Sequence, residues 1–524
     1  MDFIQKLWNS KGWLSITAGI LLGLSYPPVP LPFLTIPAFI LIFRIVDLSA
    51  SAREAAYYTY PAFLVWNIIG TYWLTMATMA GGIAAILANA AVMTLPVMLQ
   101  YYFQKSSMSS GLIALFQTAC WISFEFLHHH WDLAWPWLSV GNAWSNVPEL
   151  VQYISLTGYL GISFWIVLTS ALAYQAFRAE ERPILAGASL LFFPLVSVIM
   201  LGFSSAEKPK ALQEVVVVQP NFDSYEPNGG FDNAAEATNH LIQLSDSLYT
   251  PNTELIAWPE NAIQSNITNR DSFGDPTGQT KRRLLEKVRE WDATLIAGAT
   301  YYEFYSPDNA PTLPYYDRNS RPYLPFNAAL AFSPNQLDIY RKYNLVPIVE
   351  RIPFVHFLDA IDLFGWVNWN QIQGYGKGQE NDQFFVGSTQ TPALICYDSV
   401  FPSWVKSFVQ EGAGYLTIIT NDGWWGNTSG HSQHFAYARL RAIEFNRWVV
   451  RSANNGISGI IAPDGSVEVR TPYWETTAFR YDVPVLTSQT FYARYGDWLP
   501  IGMLLLAFGG IGYIFIKNKN NRKS

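Results

Sequence analysis

Apolar residues fill the first two-fifths of the chain in blocks of about 20, the length a helix needs to cross a bilayer. Seven such blocks precede residue 205, at roughly 12–29, 31–48, 57–78, 81–103, 110–128, 158–177 and 184–203, and an eighth lies at roughly 497–516. Between the seventh and the eighth the pattern changes. From about residue 211 to 486, short β-branched runs alternate with amphipathic helical stretches. That alternation argues for a layered α/β domain. The expected fold class is an α-helical membrane bundle of about eight spans plus an α/β domain. The division expected is 1–205 for spans one to seven, 206–490 for the α/β domain, and 491–524 for span eight and a basic tail.

The charges orient these blocks. Lys6 and Lys11 precede the first span, and Arg44 and Arg53 flank the second connection. Lys105 follows span four, Arg178 and Arg182 follow span six, and Lys517, Lys519, Arg522 and Lys523 follow span eight. The intervening loops 27–30, 79–81 and 129–157 hold no Lys or Arg. By the positive-inside rule both termini are cytoplasmic and residues ~204–496 lie on the outer side. Charged residues make up 14% of the chain, against about a quarter in an ordinary soluble protein. The net charge of -7, without a long basic block, excludes a nucleic-acid binder.

Within the α/β region, the run Glu214 to Gln219 reads as a buried strand, and further strands are expected near 254–258, 294–299, 391–396 and 415–420. Runs 327–333 and 338–343 form a hairpin across Pro334-Asn335, and helices are expected over 280–291 and near 403–411. The stretches 301–325 and 354–383 lack a regular pattern. In the membrane part, Glu125 beside Trp121 is an ionisable group at membrane depth and so a functional candidate. His128-His129-His130 point in different directions on a helix, and Trp135-Pro136-Trp137-Leu138 with Trp144 read as a loop dipping into the interface.

Three strand ends carry the candidate chemistry. Cys396 ends the apolar run Ala393-Leu394-Ile395 and opens the polar Tyr397-Asp398-Ser399. A thiol delivered by a strand onto a turn suits a nucleophile, whose thiolate a nearby cation stabilises. Glu260, in Trp258-Pro259-Glu260, can accept the thiol proton, and a carboxyl kept from water gains the raised pKa useful for a proton shuttle. Lys342, after a β-rich run, can stabilise an oxyanion, with the Tyr397 N–H as a second donor. Cys120 lies in an apolar segment and is not expected to pair with Cys396.

The motifs Trp258-Pro259-Glu260, Lys342 with Leu345-Val346-Pro347, and Cys396-Tyr397 resemble the nitrilase superfamily. The surrounding spans and the block Asn421-Asp422-Gly423-Trp424-Trp425-Gly426, then Gln433-His434 and Arg439 to Glu444, narrow the resemblance to its membrane-embedded branch, the apolipoprotein N-acyltransferases. The resemblance implies an α-β-β-α sandwich on the helix bundle. It implies transfer of an acyl chain from a phospholipid, typically phosphatidylethanolamine, to the α-amino group of a diacylglyceryl-cysteine at a lipoprotein's N-terminus. It assigns Cys396 as nucleophile of a thioacyl-enzyme, Glu260 as base and acid, and Lys342 as oxyanion stabiliser. Glu350, Tyr397, Asp398 and Trp424 fall at supporting positions. This chemistry needs no metal and no cofactor, and a monomer in a bacterial inner membrane is expected, with the catalytic domain in the periplasm. The chain departs from the family pattern at Asp398 for the usual Glu, Asn344 for a common His, Ile348-Val349 for Phe-Gly, and Gly430-His431 for Gly-Pro. Two other functions use the same residues: a membrane-tethered amidase that passes the acyl group to water, and an inactive lipoprotein-binding module.

Overall fold

The computed structural model describes residues 2–203, 207–270, 276–363 and 365–521. The expected boundary at 205 and 206, Phe364 in the second irregular stretch, and the tail charges Arg522 and Lys523 lie outside the described residues. The chain divides into two compact units. One comprises Met1–Ser205, Thr428–Glu444 and Thr490–Ser524, the other Ala206–Asn427 and Phe445–Gln489. The segment 428–444, expected inside the α/β domain, thus groups with the helices.

The first unit is helical. Five helices among the described residues are long and apolar enough to cross a membrane: Met79–Gln104, Ser110–His128, Leu160–Arg178, Ile184–Gly202 and Trp498–Lys517. They coincide with the fourth to eighth expected spans. The first three differ. Lys11–Gly23 and Thr35–Leu48 are helices of 13 and 14 residues, or roughly 20 Å at 1.5 Å per residue, against about 30 Å of hydrocarbon. The first apolar run outlasts its helix because Pro27 and Pro28 supply no N–H to continue it, and the second opens with the separate 3-10 turn Pro32–Leu34 before its helix begins. The third, Ala52–Thr71, starts at an Ser51 cap and brings Arg53 and Glu54 into its first turn.

The segment expected to dip into the interface is buried within this unit. It forms the 3-10 turns Pro136–Leu138 and Val140–Trp144, with Trp137 and Trp144 inside. Glu125 is buried on Ser110–His128 and holds this segment: its Oε1 accepts from Val140 N at 2.8 Å and Trp121 Nε1 at 2.9 Å. The three consecutive histidines turn to separate partners: Asn89 for His128, Ser139 for His129, and the Phe126 carbonyl for His130.

The second unit is a two-sheet sandwich, as the α-β-β-α expectation required. In the first sheet Thr477–Val485, Ala211–Gln219, Thr253–Ala257, Thr294–Phe304 and Pro322–Phe332 lie side by side. Ala211–Gln219, Thr253–Ala257 and Thr294–Phe304 are parallel, and the outer pairings are antiparallel. Leu337–Arg341 adds to Pro322–Phe332 as the expected hairpin. In the second sheet Ala393–Ile395, Leu416–Thr420 and Val449–Ala453 are parallel. Strand side chains alternate between faces. Val216, Val218, Ile256 and Leu295 pack with Leu241, Leu284 and Val288 of the helices Ala234–Asp246 and Pro276–Trp291. Val215 and Val217, equally buried, take the other face. Ser452 Oγ donates to Val218 O at 2.9 Å, tying sheet to sheet. Pro402–Gln410 follows the first strand of the second sheet.

The stretch 301–325 is more regular than its Tyr- and Pro-rich sequence suggests. Thr294–Phe304 runs on through it and pairs with Pro322–Phe332, so that Phe304 lies opposite Tyr323. Aromatic cross-strand pairs stabilise such ribbons: Tyr323 lies 5.3 Å from Phe304 and 5.7 Å from Tyr315. The stretch 354–383 holds two short helices, Val355–Ala360 and Trp369–Ile372, with Val355, Trp369 and Leu313 as a small core.

Candidate active site

Glu260, Lys342 and Cys396 each leave the sandwich just beyond a strand end: Thr253–Ala257, Leu337–Arg341 and Ala393–Ile395. Glu260 is fixed by a close approach of two backbones. Gly298 N donates to Pro259 O at 3.0 Å, and a Cβ on Gly298 would lie 2.5 Å from the Glu260 Cα. Only glycine fits there. The next residue, Asn261, takes a positive φ of 55° and turns the chain away.

Lys342 is 1% exposed and lies between two acids. Its Nζ donates to Glu350 Oε1 at 2.8 Å and to Glu260 Oε1 at 3.4 Å. Asn327 bridges the same two carboxylates, its Nδ2 donating to Glu260 Oε1 at 2.7 Å and Glu350 Oε1 at 2.8 Å. Asn421 N donates to Glu260 Oε2 at 2.9 Å, and Val346 N to Glu350 Oε2 at 2.7 Å. A charge so deeply buried is tolerable only when paired and hydrogen-bonded. Burial alone would pull the Lys342 pKa down, but Glu350 and then Glu260 outweigh it and hold the ammonium well above its ordinary value. Burial pushes the Glu260 carboxyl up, and the Lys342 charge opposes that push.

Cys396 has a φ of +46°. That left-handed conformation is costly for a residue with a side chain, and such strain concentrates at functional sites. Cys396 opens the 3-10 turn Cys396–Val400, and Ser399 Oγ donates to its carbonyl at 2.7 Å. The thiol sits well above its ordinary pKa, first through burial, then through the Glu260 charge, with Lys342 pulling the other way. A thiol so placed rests protonated and needs a base at the moment of attack.

The remaining candidates take different places. Glu350 joins Lys342 directly. Asp398 is fully buried on the Cys396 turn. It reaches the loop after Lys342, accepting from Asn344 N at 2.8 Å and Asn344 Nδ2 at 3.0 Å. Its other oxygen accepts from the Tyr340 hydroxyl at 2.8 Å. Burial lifts its pKa to about 6. Tyr397 is buried with its ring against Phe401 at 5.0 Å. Trp424 is 37% exposed, its ring 5.5 Å from Tyr225. Ile348 has a φ of +70°. The loop nevertheless returns Glu350 to Lys342, so the departure at 348–349 leaves that contact in place.

Asn327 and Tyr340 are contacts that sequence reasoning missed. Asn327 carried a signal, a polar residue opening the apolar run Ala328 to Phe332. The whole set can abstract a thiol proton, stabilise an oxyanion and form a thioester.

Residues 18–172 match a family model described as "Apolipoprotein N-acyltransferase N-terminal domain", and residues 214–490 one described as "Carbon-nitrogen hydrolase". An apolipoprotein N-acyltransferase of Chlorobaculum tepidum is 30% identical, the match covering 95% of each chain. An apolipoprotein N-acyltransferase 2 of Treponema denticola is 28% identical over 88% of each chain. An apolipoprotein N-acyltransferase of Rickettsia prowazekii is 27% identical over 93% of this chain and 94% of its own.

Proposed function

The chain belongs to the apolipoprotein N-acyltransferase family, and from that premise we propose that Cys396 carries an acyl chain from a phospholipid to a lipoprotein amine. The chain is a bacterial membrane enzyme that N-acylates lipoproteins. In this reading Glu260 takes the Cys396 proton, and the thiolate attacks the ester carbonyl of a phospholipid such as phosphatidylethanolamine. Lys342 and the Tyr397 N–H stabilise the oxyanion. The ester C–O bond breaks, Glu260 protonates the leaving lysophospholipid, and a thioester remains. The α-amino group of a diacylglyceryl-cysteine then attacks the thioester. Glu260 accepts the amine proton, the C–S bond breaks, and the proton returns to sulfur. Two half-reactions through one covalent intermediate give ping-pong kinetics.

The α/β part of residues 206–490 is the catalytic domain and lies on the periplasmic side. About eight membrane segments hold both termini in the cytoplasm, and the enzyme acts as a monomer. Glu350, Asp398 and Trp424 support the site. The observation that carries the reading is the buried Lys342 ammonium, donating to both Glu350 and Glu260.

The test supplies purified full-length enzyme with a defined phospholipid and a diacylated lipopeptide. One acyl chain gained per lysophospholipid released, abolished by Glu260→Gln, is expected. Free fatty acid without lipopeptide acylation would favour hydrolysis and overturn the reading.

A further inference from the structure

The strands Ala393–Ile395 and Leu416–Thr420 are parallel neighbours, with Ile395 opposite Ile419. One residue on from this pair stand Cys396 and Thr420. The thiol and the Thr420 hydroxyl therefore occupy adjacent positions at the same end of the sheet. Thr420, Asp422 and Arg451 are all fully buried. Thr420 Oγ1 donates to Asp422 Oδ1 at 2.8 Å, and Arg451 Nη2 donates to Asp422 Oδ2 at 2.8 Å. An Asp422 carboxylate oxygen lies within 4.8 Å of the Cys396 sulfur. The strand pairing puts Thr420 beside Cys396, where a hydroxyl hydrogen turned to the sulfur favours the thiolate.

A threonine hydroxyl has one hydrogen to donate. It is given to Asp422 Oδ1, and the Cys396 sulfur, near the same carboxylate, is the second acceptor in the neighbourhood. While the thiol is protonated, the carboxylate is the better acceptor. Once the sulfur is anionic it competes, because hydrogen bonds to ionised acceptors are the strong ones. Asp422 can give up the Thr420 bond because Arg451 still holds its charge.

We propose that Thr420 is a further catalytic residue, a hydroxyl rotor that moves its hydrogen bond from Asp422 to the Cys396 thiolate as Glu260 removes the thiol proton. The inference rests on the reading of Cys396 as nucleophile and Glu260 as base. The S–H bond breaks and its proton passes to Glu260. Thr420 keeps its own proton and only turns about its Cβ–Oγ1 bond. When the S–C bond has formed, the sulfur no longer bears charge and the hydroxyl returns to Asp422. The rotor turns again when the amine expels the thiolate in the second half-reaction. Asp422 and Arg451 are positioning residues that act through it.

The test is the pH dependence of Cys396 alkylation by iodoacetamide on the full-length enzyme, read by peptide mass spectrometry. Wild type is compared with Thr420→Val, Thr420→Ala and Thr420→Ser. Both variants without the hydroxyl should alkylate about 10-fold more slowly at a fixed pH, the scale of a lost hydrogen bond to a charged group. Their profiles should move up by about one pH unit. Thr420→Ser should stay within about 2-fold of wild type, as a retained hydroxyl predicts. Thr420→Ala guards against a Thr420→Val chain that does not fold. A wild-type profile in the Ala variant, or equal damage in the Ser variant, would overturn the rotor. Failure of the underlying reading looks different: wild type then forms no acyl adduct on Cys396, whatever stands at 420.

Discussion

Asn344 gives one oxygen of Asp398 two hydrogen bonds, from its backbone N–H at 2.8 Å and from its side-chain amide at 3.0 Å. The other oxygen takes the Tyr340 hydroxyl, which in turn accepts from Trp404 Nε1 at 2.9 Å. Two departures from the family pattern are thus each other's partners. Together they join the turn carrying Cys396 to the loop after Lys342. Asn344→Ala removes one bond and keeps the backbone one. It should lower unfolding stability by about 1 kcal/mol, read as a lower thermal midpoint in detergent. Acyl transfer should fall with it, because the Cys396 turn and the Lys342 loop lose a tie.

Asp398 also predicts a pH dependence of stability. Its pKa is lifted to about 6 by burial, above the usual value near 4. The folded state therefore binds that proton more tightly than the unfolded chain. The resulting stability is full below about pH 4 and is lost as pH rises through about 6, a change of roughly 3 kcal/mol at 1.36 per unit. Asp398→Asn should flatten the decline in that window. Denaturation at stepped pH checks this, and an unchanged slope contradicts it.

Glu350 is the largest charge raising the Lys342 pKa. Glu350→Gln removes that charge and keeps the shape. The lysine pKa should fall, so the alkaline limb of the pH–rate profile should move to lower pH. The rate at neutral pH should drop by about 10- to 100-fold, less than outright loss of the oxyanion donor that Lys342 is proposed to be. Steady-state acyl transfer across pH measures both.

In the helical unit, Gln433 is buried beneath two indoles. Its Oε1 accepts from Trp137 Nε1 at 2.7 Å and Trp73 Nε1 at 3.3 Å, and its Nε2 donates to Gly70 O at 3.0 Å. Gln433→Leu removes all three bonds and should destabilise this unit by about 1–3 kcal/mol. Gln433→Glu keeps the acceptor but loses the donor and sets a buried carboxylate against Gly70 O, and should cost more. Thermal unfolding in detergent followed by tryptophan fluorescence distinguishes them.

The strand ends that carry Glu260, Lys342 and Cys396 were legible because each closes a β-branched or apolar run at a turn, a local signal. Asn327 was not, because its place between Glu260 and Glu350 depends on the register of Pro322–Phe332 against Thr294–Phe304. Register is a non-local fact. The ribbon through Phe304 and Tyr323 escaped for the same reason, since aromatic pairing across strands leaves no period along one. The first two helices came out shorter than their apolar runs because the length of a run does not register the breaks at Pro27, Pro28 and Pro32. The positive φ of Cys396 has no sequence signature at all. It emerges only from the strand-to-turn geometry.

The most direct test of the central claim is intact-protein mass spectrometry of wild type and Cys396→Ala after incubation with phospholipid and no acceptor. Wild type should gain one acyl chain that hydroxylamine removes, and should lose it to an added diacylated lipopeptide. Cys396→Ala should gain none. An unmodified wild type that still acylates the lipopeptide, or an equal adduct on Cys396→Ala, would contradict the thioacyl route through Cys396.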